Sequence, residues 1–157
     1  MEDTKRIVTK VVIGRRIQTF RKIIRMTSDE EEAHPRVLGC TVCGGHVSDY
    51  FVERGKGKNR EINIKIKLDI HIWYQLGGDT SVAKMSTEVV DSIEITNQGP
   101  EDLSLEEAYV WMKEEPECVD TTLITNPECN LMAVQIEYTL GAEVIAETVL
   151  DVKVFNT

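Results

Sequence analysis

Between Arg60 and Leu76 the chain reads REINIKIKLDIHIWYQL, and this run constrains the fold more than any other. Ile62, Ile64, Ile66, Leu68, Ile70 and Ile72 take every second position, with Asn63, Lys65, Lys67, Asp69 and His71 between them. Side chains alternate faces along a strand, so the pattern writes one apolar face and one wet face; a helix would scatter the six aliphatics around its circumference. At about 3.3 Å per residue the alternating run spans roughly 35–40 Å, well beyond a typical strand. A face of that length must be covered by a second sheet or a helix. It reads as a core strand, with Trp73-Tyr74 capping the core at its end, and nothing in it suggests chemistry.

The segments around it read as further strands. Lys5–Ile13 is rich in β-branched residues, Gly14-Arg15-Arg16 suits a turn, and Ile17–Met26 fits a strand better than a basic helix because a hairpin would follow from that turn. Thr27–Pro35 is an acidic loop. Arg36–Cys43 and His46–Arg54 read as two strands about a Gly44-Gly45 turn, and Gly77-Gly78-Asp79 turns the long strand into Ser81–Ile95. That last pairing is expected to carry a bulge, since its alternation is imperfect. Asn97–Pro100 breaks the sheet. Ser104 and Glu107 then have capping-box spacing, and Leu105, Ala108, Tyr109 and Met112 follow at helical intervals, predicting one short helix over about 104–115 that Pro116 stops. Val119–Thr125 reads as a short strand ending at an Asn126-Pro127 turn. Leu131–Leu140 and Val144–Val154 are strands about Gly141. The expectation is a mainly β chain: one domain over 1–157, an antiparallel β-sandwich of about eight strands with one helix.

Charge is unevenly placed. Residues 1–85 hold 16 basic residues against 11 acids, whereas residues 86–157 hold 2 against 16. Eight Lys/Arg and no acid lie between Thr4 and Ser28. Such asymmetry suits a nucleic-acid surface, a membrane surface or complementary subunits, or it neutralises within one fold. Phe20 is the one aromatic in the basic segment 5–25, so the stacking platform of a single-strand nucleic-acid binder is missing and no nucleic-acid partner is expected. No apolar run approaches the ~20 residues of a membrane helix, and MEDTKR lacks a secretory apolar region; no integral membrane contact is expected.

Chemistry is sparse. Cys40-Thr41-Val42-Cys43-Gly44-Gly45 resembles half of a zinc knuckle, which His46 or His34 would have to complete; Cys118 and Cys129 are poorly spaced to do so. A redox CxxC would open a helix in a βαβ unit, and none is visible. The three histidines are dispersed, no nucleophile motif or phosphate loop occurs, and Glu106-Glu107 and Glu114-Glu115 suit a solvated face. No cofactor is expected. The thiols read as free groups, Cys118 buried near the helix end, with Cys40, Cys43 and Cys129 as possible cross-linking positions.

An ordered set of segments is similar to the outer spore-coat morphogenetic protein family, CotE, of endospore-forming bacteria. It comprises Arg6–Ile13, Val37-Leu38-Gly39, Ile70–Tyr74 with the Val- and Glu-rich strand after it, Glu115-Pro116-Glu117-Cys118, and Ala142–Val154. The resemblance covers nearly the whole chain and includes Cys118, whereas Cys40 and Cys43 depart from the family pattern. The family's acidic C-terminal tail is absent, as the chain ends at Asn156-Thr157, so the resemblance does not extend to tail-dependent recruitment. It implies a non-enzymatic structural protein that is made in the mother-cell cytoplasm, self-assembles on the forespore in the spore coat, and recruits other coat proteins. The alternative, from the residues alone, is a small metal- or ligand-binding β-sandwich using Cys40, Cys43 and His46.

Together with the charge map, the resemblance predicts a homo-oligomer, trimer or higher. Arg15, Arg16, Arg21, Lys22 and Arg25 of one copy would meet acids of a neighbour among Glu101, Asp102, Glu106, Glu107, Glu114, Glu115 and Glu117. The competing expectation is that these segments pair within one subunit.

Overall fold

In the computed structural model, which describes residues 3–27, 36–55, 57–99, 104–121 and 131–155, the alternating run forms the middle of a sheet. Six strands are present: β1 (Asp3–Thr27), β2 (Arg36–Arg54), β3 (Asn59–Leu76), β4 (Asp79–Thr96), β5 (Ser104–Asp120) and β6 (Leu131–Val154). They make two three-stranded antiparallel sheets, ordered β1-β6-β5 and β2-β3-β4. Each central strand buries one face. Ile62, Ile64, Ile66, Ile70 and Ile72 are 0% exposed on β3, and Val134, Ile136, Leu140, Ala142 and Val144 are 0% exposed on β6. Both rows belong to one apolar cluster, joined by Ile13 and Ile24 of β1 and Ile93 and Ile95 of β4. The two sheets therefore share a single core, and Lys65, Lys67 and Asp69 stay on the wet face as the alternation requires.

The strands are fewer and longer than the sequence pattern predicts, because glycines that suit turns lie inside strands. Gly14 follows a register shift in β1 after Val12 and is no turn: a Cβ there would strike Ile95 and lie 2.9 Å from the Thr96 carbonyl oxygen, so glycine lets β1 approach β4. Gly44-Gly45 likewise continues β2, which shifts register three times, and a Cβ on Gly45 would lie 2.6 Å from Pro116 Cγ of β5. Gly141 stands mid-strand in β6, directly opposite Trp111, whose indole occupies the place a Cβ would take. The expected eight strands thus become six. Gly77, at φ 64°, does turn β3 into β4, and that pairing runs from Asn59↔Thr96 to Leu76↔Asp79 without the expected bulge.

The expected helix over 104–115 is strand β5. No helix occurs among the described residues. β6 is central, so its backbone N–H and C=O groups on the side away from β1 need partners, and β5 supplies them from Ser104↔Glu147 to Asp120↔Gln135. Ala108, Val110 and Met112 also alternate, and all three pack on the core while Tyr109 is exposed; tertiary pairing overrides helix propensity here. Residues 122–130, including the expected Asn126-Pro127 turn, lie outside the described residues, as does most of the acidic loop 27–35.

Gly141→Ala separates a strand glycine from a turn glycine. The added methyl overlaps Trp111 and is expected to destabilise the fold by about 1–3 kcal/mol. In a Trp111→Ala background the same methyl should cost much less, because its collision partner is gone. Equal costs in both backgrounds, measured by denaturant unfolding, contradict the close approach.

Candidate functional site

Because one face of each sheet is spent on the core, the surfaces left for function are the outer faces and the edges. β1 and β5 are the edges of one sheet, β2 and β4 of the other. β1 carries eight Lys/Arg and one acid, whereas β5 carries six acids and Lys113, so one sheet has a basic edge and an acidic edge.

Many of these charges are engaged within the subunit. Arg60 and Glu106 form a two-pronged pair, Nε to Oε2 at 2.7 Å and Nη2 to Oε1 at 2.9 Å, with side chains only 7% and 9% exposed. Arg60 also donates to the carbonyls of Gly57 and Asn59. The hydrogen bond to Glu106 raises its pKa against the opposing effect of burial, so the pair ties β3 to β5 as fixed charges. A second cluster crosses the layers at Asp91 of β4, 5% exposed, which accepts from Tyr138 Oη of β6 and pairs with Lys22 of β1. Burial, then the hydrogen bond to Asp91, pushes the Tyr138 hydroxyl well above the usual tyrosine range, so it stays a donor.

Of the basic residues expected to face a neighbour, Arg21 pairs with Glu137 at 2.6 Å and Arg16 donates to the Glu94 carbonyl at 3.1 Å. Arg15 lies over the Trp111 ring at 5.2 Å, and Lys22 is held by Asp91. Arg25 is exposed. Among the acids, Glu106 is bound to Arg60, Glu107 meets Lys10 at 3.3 Å, and Glu114 accepts from Thr139 at 3.0 Å. Glu115 and Glu117 are exposed, and Glu101 and Asp102 lie outside the described residues.

The candidate ligands do not converge. Cys40 is half-buried against the core, whereas Cys43 and His46 are exposed, and no group of three or more His, Cys, Asp or Glu side chains among the described residues is arranged to hold a metal ion. Cys40 instead reaches across to Cys118 of β5, also half-buried. Burial first, then the hydrogen bond to Cys118, pushes the Cys40 thiol up to about 12. Cys118 sits in a strand rather than by a helix end; Cys129 and His34 lie outside the described residues. Trp73 and His71 meet edge to face on the outer side of β3, with Tyr74 buried at the core's end. A shallow cleft of about 540 Å³ runs between β1 and β4, lined by Val11–Arg16 and by Glu94–Thr96, Gln98 and Gly99. It holds no nucleophile and no paired carboxylates.

The family model described as outer spore coat protein E (CotE) matches residues 3–157. This chain belongs to the CotE family. Its place is accordingly the spore coat. No curated protein and no solved structure matches the chain. In this CotE-family chain, no helix among the described residues is long and apolar enough to cross a membrane.

Two signals for the internal clusters stood in the sequence. Arg60 and Asp91 fall on the inward parity of otherwise apolar rows, Arg60 with Ile62 and Ile64, Asp91 with Val89 and Ile93. A charge in such a row requires a buried partner.

Glu106→Ala leaves Arg60 buried and unpaired and should destabilise the fold by about 3–5 kcal/mol, whereas Arg60→Met with Glu106→Leu should cost far less. Equal losses in chemical denaturation contradict a buried pair. For the thiols, Cys40 stabilises the fold as the neutral form: that contribution is complete below about pH 9.0, its ordinary value, and is lost as pH rises through about 12. At pH 10, iodoacetamide should label exposed Cys43 at least roughly tenfold faster than Cys40, because the thiolate is the nucleophile. Equal rates by peptide mass spectrometry contradict the assignment.

Proposed function

We propose that this CotE-family chain is a non-enzymatic scaffold of the outer spore coat. It is made in the mother-cell cytoplasm, assembles on the forespore as a homo-oligomer of three or more copies, and recruits other coat proteins through its exposed faces. The family match over residues 3–157 carries this reading. Needing no cofactor, such a protein acts through its interfaces.

The charge map supports a head-to-tail contact between copies. β1 and β5 are each antiparallel to β6 and so run the same way on opposite edges of one sheet. Arg25, opposite Ala133, and Glu117, opposite Glu137, stand toward the same end. A neighbour set alongside brings its acidic edge to this basic edge. Pro116 lacks an N–H and the β5 register shifts four times, so β5 is a poor template for strand addition and side-chain charge makes the contact. Joining two different patches, the contact closes into rings or continues into arrays.

Arg15, Arg16 and Arg21 have partners inside the subunit, so Arg25 tests the contact. Sedimentation at several concentrations should show an assembly that weakens as salt rises toward 1 M, where the Debye length falls to about 3 Å. Arg25→Glu should weaken it, and adding Glu115→Lys and Glu117→Lys should restore it. A monomer at every concentration contradicts self-assembly. An assembly indifferent to salt and to Arg25 contradicts the charged contact alone.

A further inference from the structure

β4 differs from the other three edge strands. Between β3 and β4 the register is unbroken over the whole pairing, whereas β2 shifts three times, β5 four times and β1 once. Bulges and proline blunt sheet edges against pairing with another chain, and β4 has neither. β1 meets β4 toward its C-terminal end: Gln98 N–H, just past β4, donates to the Ile13 carbonyl at 2.8 Å, Arg16 donates to the Glu94 carbonyl, and the Lys22 side chain pairs with Asp91. Among the described residues, no strand lies beside the outward N–H and C=O groups of residues 80–92, which leaves that edge open.

The exposed side chains along that edge read Val82, Lys84, Ser86, Glu88, Val90. Val82 is 45% exposed and Val90 59% exposed, large apolar groups on an otherwise polar face. Neither Lys84 nor Glu88 has an ion-pair partner among the described residues. The row is symmetric about Ser86: apolar, cation, hydroxyl, anion, apolar.

We propose that the β4 edge is an interface between two copies of this chain, their β4 strands pairing antiparallel about Ser86. In that register Val82 stands opposite the partner's Val90 and Lys84 opposite the partner's Glu88, and the twofold axis repeats each pair. On the other face Ala83 meets the partner's Val89 and Met85 the partner's Thr87, continuing the row already packed on the core. Centring the pair on Thr87 instead sets Lys84 against Val90 and Glu88 against Ser86, which loses both matches. The result is one continuous sheet in the order β2-β3-β4-β4-β3-β2. An isologous contact closes at two copies. Combined with the charged contact between β1 and β5, it links pairs into larger assemblies. The inference rests on the self-assembly reading above and names a second surface for it.

Charge exchange in the full chain tests it. Lys84→Glu sets Glu opposite Glu88 twice per dimer, and Glu88→Lys sets Lys opposite Lys84 twice. Each should raise the dimer dissociation constant, read by sedimentation, roughly tenfold or more. Both substitutions together restore opposite charges and should return the wild-type value. All variants are on the wet face and should still melt cooperatively: Lys84→Glu as the wild type does, Glu88→Lys slightly lower because it faces Lys67 of β3. Wild-type assembly with unaffected single variants overturns the β4 interface and leaves the scaffold reading standing, as does a double variant as weak as the singles. A wild type that is monomeric at every concentration overturns both.

Discussion

Everything in this molecule follows from two rows of apolar side chains that have to cover each other. Ile62 to Ile72 on β3 and Met132 to Ala146 on β6 are almost wholly buried, each on the middle strand of its sheet. Burying one such side chain is worth about 1.5–3 kcal/mol, so neither strand can turn its face to water. Two strands of 18 and 24 residues fix the length of the whole body and require flanking strands of like length for their backbone groups. That requirement makes a strand of residues 104–120 despite their helical spacing.

Polar ties supplement the apolar core. Arg60–Glu106 links β3 to β5, and Asp91 with Tyr138 and Lys22 links β4, β6 and β1. Each couples one sheet to the other, so the layers are held against sliding as well as against separation.

The central strand was fully legible, because the period of six aliphatics has only one reading. The glycines misled. Gly14, Gly45 and Gly141 look like turns in sequence, yet Ile95, Pro116 and Trp111 lie where their side chains would be, and only the packed structure reveals those neighbours. β5 misled for a related reason: Ser104 and Glu107 carry capping-box spacing, but the demand for hydrogen bonds from β6 is a long-range fact. Charge asymmetry was legible as composition, yet not that Arg21, Lys22 and Glu106 are satisfied at home while Arg25, Glu115 and Glu117 face outward. The symmetry of the β4 edge was present in the sequence from Val82 to Val90. It acquires meaning only once β4 is known to be an edge and free of bulges.

On the proposed reading, function lies in the sheet edges rather than in a pocket. Hydrogen–deuterium exchange, compared between dilute and assembled protein, tests this most directly. Assembly should slow exchange along residues 80–92 of β4, in alternate amides that point away from β3, with smaller changes along β1 and β5. Protection confined to β2, or spread evenly over the whole chain, would contradict the account.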